Sequence, residues 1–195
     1  MAIESTLSNT AIGDPIPIDV ILPGVDGQLV NLDTLRNGRP VVVVFSANHC
    51  PYVQHIESKL GEIALANPLV EFAAISSNDV DTYPDDDVAG MKDQLARAGW
   101  NFPYLFDTEQ NVAKDFGAVC TPDFFIYDQT GHLAYRGAFD TSSPKNGNPL
   151  DGSLLQAALT HIVAGEAVPL PHRPAMGCGI KWMPGNDPEG NNTSD

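Results

Sequence analysis

Val41-Val42-Val43-Val44-Phe45-Ser46-Ala47-Asn48-His49-Cys50-Pro51-Tyr52-Val53 is the stretch from which the rest of the chain can be read. Four valines and a phenylalanine form an apolar run too short for a helix. β-Branched residues with no polar alternation indicate a strand buried on both faces, as in a parallel sheet. After a short polar turn, Val53, Ile56, Leu60 and Ile63 recur at spacings of three and four, the period of an amphipathic helix. Pro51 suits the first helical position, where its missing N–H is not needed. Cys50 is therefore expected at a helix N-terminus, under unpaired N–H groups and the positive end of the helix dipole. That setting favours the thiolate, which is the nucleophilic form. The alternative is a packed structural cysteine, but a strand-to-helix turn at a sheet edge favours a reactive thiol.

The chain has 195 residues, enough for one domain with a substantial core, and a net charge of −15. Such acidity makes nucleic acid and anionic membranes poor partners. Residues 1–14 lack the basic and apolar regions of a secretory signal, and no apolar run reaches transmembrane length. The three cysteines are widely spaced, unlike a secreted disulfide framework. A cytoplasmic thiol protein is the expectation.

Along the chain, residues 1–14 read as a flexible N-terminus. Two short runs, Ile18 to Leu22 and Leu29 to Leu32, flank Asp26-Gly27 and predict a β-hairpin. Asp33 is a candidate cap for one helical turn. The central strand and its helix lead to Val70–Ile75, another apolar strand, which gives a βαβ unit. The acidic loop 83–87 precedes a helix carrying Val88, Met91, Leu95 and Ala98. Its aspartates read as helix caps and solvated charges rather than a metal site. Phe102–Phe106 predicts a strand, Gln110–Phe116 a short helix, and Asp123–Asp128 with His132–Gly137 a hairpin. A last helix spans Ser153–Ala164. From Val168 onward five prolines and four glycines argue against regular structure. The organisation expected is a folded domain over 15–166 and an irregular, partly docked tail over 167–195.

This order of elements, with Cys50 at the first long helix and Thr121-Pro122 entering a later strand, resembles the thioredoxin fold: a central mixed sheet flanked by helices. More narrowly it resembles the peroxiredoxin-like branch of the alkyl hydroperoxide reductase/thiol-specific antioxidant superfamily. The matching stretches are Pro23–Gly27, Asn48–Val53, Ser77-Asn78-Asp79, Val119–Phe125 and Gly177-Cys178-Gly179-Ile180-Lys181-Trp182. The resemblance implies that Cys50 is the nucleophile, at the position of the first cysteine of a thioredoxin Cys-x-x-Cys. Val53 occupies the position of the second, and the peroxidatic cysteine of true peroxiredoxins also maps near it. Ala47 stands where relatives carry a cysteine. Pro122 falls where the family holds a cis-proline, otherwise an ordinary strand-entry residue. The backbone before it would lie near Cys50 and could pair with an extended substrate.

Cys120 is the expected resolving partner of Cys50, and Cys178 is either a second resolving thiol or packed and inert. His49 either tunes Cys50 or is a partly buried turn residue. Arg136 either meets an anion or lies on the hairpin surface. The function expected is reduction of hydroperoxides or of disulfides, whether protein or low-molecular-weight. Partners would be a small-molecule hydroperoxide or disulfide and an external thiol reductant, with a homodimer left open. No dinucleotide-binding glycine loop is present, so no cofactor is expected. The competing function is a redox-inactive thioredoxin-fold module that holds a peptide at Pro122. Loss of cysteine at 47 and 53 favours it, and retention of Cys50 and Cys120 opposes it.

Overall fold

The computed structural model describes residues 2–5, 11–17 and 19–188. Its strands are β1 (Ala2–Glu4), β2 (Ile21–Pro23), β3 (Leu29–Asn31), β4 (Val41–Phe45), β5 (Glu71–Ser76), β6 (Tyr104–Phe106), β7 (Cys120–Thr121), β8 (Asp123–Tyr127), β9 (Leu133–Gly137) and β10 (Met176–Gly179). The helices are α1 (Leu32–Arg36), α2 (Pro51–Ala66), α3 (Val88–Ala98), α4 (Asn111–Phe116) and α5 (Ser153–Val163).

Strand β4 is the middle of a five-stranded sheet ordered β6-β5-β4-β8-β9. It runs parallel to β5 and antiparallel to β8, so the sheet is mixed. All five β4 residues are buried because both faces are covered. Val42 and Val44 pack with Val53, Ile56, Leu60 and Ile63 of α2 and with residues of α3 and α5. Val41, Val43 and Phe45 face the opposite way, against Leu32, Val112, Ala113 and Phe116 of α1 and α4. The valine run thus supplies both halves of the core, and the alternation of strand side chains divides it between them.

The N-terminal hairpin forms from β2 and β3, while Ile18 of the predicted run lies outside the described residues. Helix α1 is capped by Asn31, whose side chain accepts from the Thr34 N–H at 2.9 Å, rather than by Asp33. Asp33 instead pairs with Arg36. The strand expected over Phe102–Phe106 is confined to Tyr104–Phe106.

Two expectations are corrected at the chain ends. Residues Ala2–Glu4, taken as part of a flexible segment, form β1, and the glycine-rich tail, taken as irregular, forms β10. Strand β10 lies between β1 and β7 in a separate three-stranded sheet. The composition rule fails because β10 requires glycine. A Cβ on Gly177 would lie 1.9 Å from the Thr121 carbonyl oxygen, so no side chain fits there.

Arg136 is also corrected. It is 1% exposed, not a surface residue, and donates to the Gly117 carbonyl at 2.6 Å and to Asp123 at 3.3 Å. Its guanidinium carbon stacks 4.7 Å from the Phe125 ring centroid. Removing one partner of a buried ion pair leaves the other charge uncompensated. Arg136→Ala is therefore expected to lower the unfolding free energy by about 3–5 kcal/mol, measured by urea denaturation. The double variant Arg136→Met, Asp123→Leu should recover most of the loss.

Candidate active site

Cys50 ends the turn after β4 and is the N-cap of α2, with Pro51 in the first helical turn. The side chain is fully buried. Its sulfur lies 3.2 Å from the Thr121 carbonyl oxygen, which accepts from the thiol form. The Thr121–Pro122 peptide bond is cis. Thr121 is also the residue that pairs with Cys178 across the β7–β10 ladder.

That pairing brings Cys178 to Cys50. The neighbouring Cys178 thiol, as a donor toward the Cys50 sulfur, is the main reason the Cys50 pKa falls to about 6. Burial opposes the shift, while the Thr121 hydroxyl and the backbone N–H groups of Val53 and Cys178 add to it. Cys178 shifts the other way, because its proton is held in the hydrogen bond to Cys50 and because it is part-buried. The two thiols thus divide their roles: Cys50 ionises and Cys178 keeps its proton.

Cys120, the partner expected from the sequence, is placed differently. Neighbouring residues on a strand point to opposite faces, and Cys120 pairs with Gly179 while Thr121 pairs with Cys178. Its sulfur lies 3.9 Å from the Pro122 carbonyl. Burial, reinforced by the charge of Asp123, pushes its pKa well above the ordinary thiol value. A thiol held protonated in the interior is a poor nucleophile.

His49 is fixed by a residue the sequence reading left among solvated charges. Asp86, fully buried, accepts from the His49 backbone N–H at 3.0 Å and meets its ring Nδ1 at 2.5 Å. Asn78 donates to the same carboxylate at 2.7 Å. The Asp86 hydrogen bond raises the His49 pKa above its usual value despite partial burial. Burial alone would raise the Asp86 carboxyl, but the hydrogen bonds from His49 and Asn78 outweigh it and hold it low. The His49 ring stacks on Tyr83, and the Lys181 ammonium lies 5.4 Å from the Tyr83 ring centroid. Asp86 escaped notice because three successive aspartates look alike in a sequence. Asp87 behaves as expected, capping α3 through the Gly90 N–H, and Asp85 is exposed to solvent.

The same cluster holds the tail. Asn78 accepts from the Lys181 N–H at 2.9 Å, and Gln110 donates to the Lys181 carbonyl at 2.8 Å. Ile180 is buried, and Trp182 packs beside it. Behind α2, Glu57 is buried and bonded to Arg97 at 2.7 and 3.0 Å, and Arg97 also reaches the Asn48 side chain at 2.9 Å. The turn that carries Cys50 is thereby tied to α3.

Two outcomes follow for the site. Cys178→Ala removes the principal donor to the Cys50 sulfur, so the Cys50 pKa should rise from about 6 toward the ordinary thiol value, read from thiolate absorbance against pH. Cys178→Ser, which keeps a donor, should restore part of the shift. Asp86→Asn should lower the His49 pKa, followed by the ring-proton chemical shift. Because the folded His49 pKa is raised, the histidine's contribution to stability is complete below its unfolded value and is lost as pH rises through the folded one, while the contribution of Asp86, whose pKa is lowered, is lost as pH falls through its folded value.

Comparison with solved structures sets this architecture beside several relatives. An uncharacterized conserved protein from Geobacillus kaustophilus is 40% identical over 94% of this chain and 97% of that one, with a TM-score of 0.89. A hypothetical protein from Sinorhizobium meliloti 1021 is 34% identical over 93% and 98%, with a TM-score of 0.88. The peroxidoxin BcpB of Mycobacterium tuberculosis is 20% identical over 80% and 97%, with a TM-score of 0.59, a likeness of fold. No curated protein matches. The thioredoxin-like architecture of a mixed sheet flanked by helices is thus shared with these structures, and the AhpC/TSA family profile matches residues 12–136. This chain belongs to the AhpC/TSA family.

Proposed function

We propose that the protein is a thiol-dependent oxidoreductase that reduces hydroperoxides or disulfides, with Cys50 as nucleophile and Cys178 as its resolving partner. The observation that carries this reading is the pairing of Cys178 with Thr121, whose carbonyl lies 3.2 Å from the Cys50 sulfur at the start of α2. Family membership supports redox chemistry in general, and the local geometry supports this choice of residues. Thr121 links the two thiols, its carbonyl touching the Cys50 sulfur and its backbone pairing with Cys178.

With a hydroperoxide, the Cys50 thiolate attacks the distal oxygen and the O–O bond breaks. The sulfur becomes sulfenic acid, and the departing alkoxide takes a proton from solvent to leave as an alcohol. The Cys178 sulfur then attacks the sulfenic sulfur, its proton leaves with the hydroxyl as water, and the S–S bond forms. Two thiols are oxidised as one hydroperoxide is reduced. With a disulfide, Cys50 displaces one thiolate and Cys178 displaces the other group as a thiol. An external thiol attacks Cys178, the more accessible sulfur, to release Cys50 and leave a mixed disulfide on Cys178, and a second thiol displaces Cys178 to restore the pair and form the external disulfide. Cys50 departs readily because a low-pKa thiolate is a good leaving group. A reducing compartment such as the cytoplasm suits this cycle. No helix among the described residues is long and apolar enough to cross a membrane.

Cys120 has a different part in this reading. Its charge environment is the Arg136–Asp123 pair, and it packs the strand that presents Thr121. The test is oxidation of the reduced protein with one equivalent of hydrogen peroxide or cystamine, followed by non-reducing peptide mapping. A Cys50–Cys178 bond with a free Cys120 thiol is expected. A bond from Cys50 to Cys120 would reassign the partner, and three intact thiols after both oxidants would remove the redox function.

A further inference from the structure

We infer that strand β10 is a built-in substrate strand, which closes the redox site to extended polypeptides and restricts it to small-molecule substrates. The inference rests on the redox reading above and adds the substrate class. An extended peptide binds a sheet by adding to a free strand edge, where main-chain hydrogen bonds supply much of the affinity. Beside Cys50 the relevant edge belongs to β7, whose Thr121 carbonyl touches the Cys50 sulfur. That edge is already paired with β10 in antiparallel register, Cys178 opposite Thr121 and Gly179 opposite Cys120. The outer edge of β10 is paired in turn with Ala2–Glu4 of β1. The place where the cysteine of a bound polypeptide would meet Cys50 is held by Cys178.

The strand is fastened at both ends. Before it, Ala175 exchanges backbone and side-chain hydrogen bonds with Ser5 at 2.8 and 3.1 Å, and the Arg173 carbonyl accepts from Ala138 at 2.9 Å. After it, the Ile180 N–H donates to Val119 at 3.0 Å and the Met183 N–H to Gln110 at 2.8 Å. Gly177 lies directly on the Thr121–Pro122 peptide, an approach that no residue with a Cβ could make. These contacts leave Cys50 buried and Cys178 part-exposed. A hydroperoxide or a low-molecular-weight disulfide needs no strand edge, whereas a polypeptide disulfide needs β10 displaced.

The experiment uses the full-length protein with dithiothreitol as recycling reductant, and compares cystamine and tert-butyl hydroperoxide with insulin. Turnover of at least one small oxidant, with insulin reduced an order of magnitude more slowly or not at all, is the expected result. Gly177→Ala should lift the strand and raise the ratio of insulin to small-oxidant turnover. Ile180→Ala, which removes the buried anchor behind the strand, makes the same test if the first variant does not fold. Insulin reduction by the unaltered protein at the rate of the small oxidants would overturn the inference while leaving the redox function standing. A ratio unmoved in a folded variant would also overturn it. Inertness toward all three substrates would remove the redox function itself.

Discussion

The geometry of the site depends on one ladder contact, the antiparallel pairing of Cys178 with Thr121. Thr121 already abuts Cys50 through its carbonyl, so whatever pairs with Thr121 is delivered to the Cys50 sulfur. Because the pairing residue is a cysteine, Cys50 acquires a thiol neighbour and its pKa is lowered. The helix N-terminus contributes through the Val53 N–H, but Cys178 has the larger effect. A position that would otherwise be one buried cysteine becomes a polarised pair.

Keeping that pair in register requires the tail to be held firmly, and the protein uses buried polar groups for this. Asp86 and Asn78 illustrate how the holding is shared. Asp86 satisfies both the His49 backbone and ring, Asn78 donates to Asp86, and the same Asn78 accepts from the Lys181 backbone. The turn before Cys50 and the strand after Cys178 are thus connected by a short chain of hydrogen bonds. A buried carboxylate is costly unless its acceptor sites are filled, and here filling them is what positions the two sides of the site. Gln110 performs a similar task for the Lys181 carbonyl and the Met183 N–H.

The interior beneath the site is less uniformly apolar than the valine run suggests. Arg136 and Asp123 are both buried beside Cys120, and Glu57 with Gln94 and Tyr104 lies behind α2. Each of these side chains has at least one partner, although Asp123 Oδ1 and Arg136 Nε and Nη1 make no hydrogen bond among the described residues. The Arg136–Asp123 pair connects β8 to β9 and, through the Gly117 carbonyl, to the segment after α4. It thereby fixes the strand from which Thr121 is presented, which gives a buried ion pair in this fold a positional role as well as an energetic one.

Periodicity and turn chemistry are local properties, and the sequence alone determined what depends on them. Val41–Phe45 as a doubly buried strand, α2 from its three-and-four spacing, Pro51 at the helix start and Cys50 as its cap all follow from neighbouring residues and backbone sterics. The N-terminal hairpin was legible for the same reason, while the mixed sheet was expected from the resemblance in element order. Which cysteine meets Cys50 was not legible. Cys120 is nearer to Pro122 in sequence, but strand alternation turns it away, and Cys178 arrives only through a ladder joining residues 57 positions apart, 178 less 121. A composition rule also hid β10, because glycine weakens an isolated strand yet is the one residue that fits against Thr121. Asp86 and Arg136 escaped on the same principle. A charged residue reads as surface until tertiary structure supplies the buried partner that makes its interior position affordable.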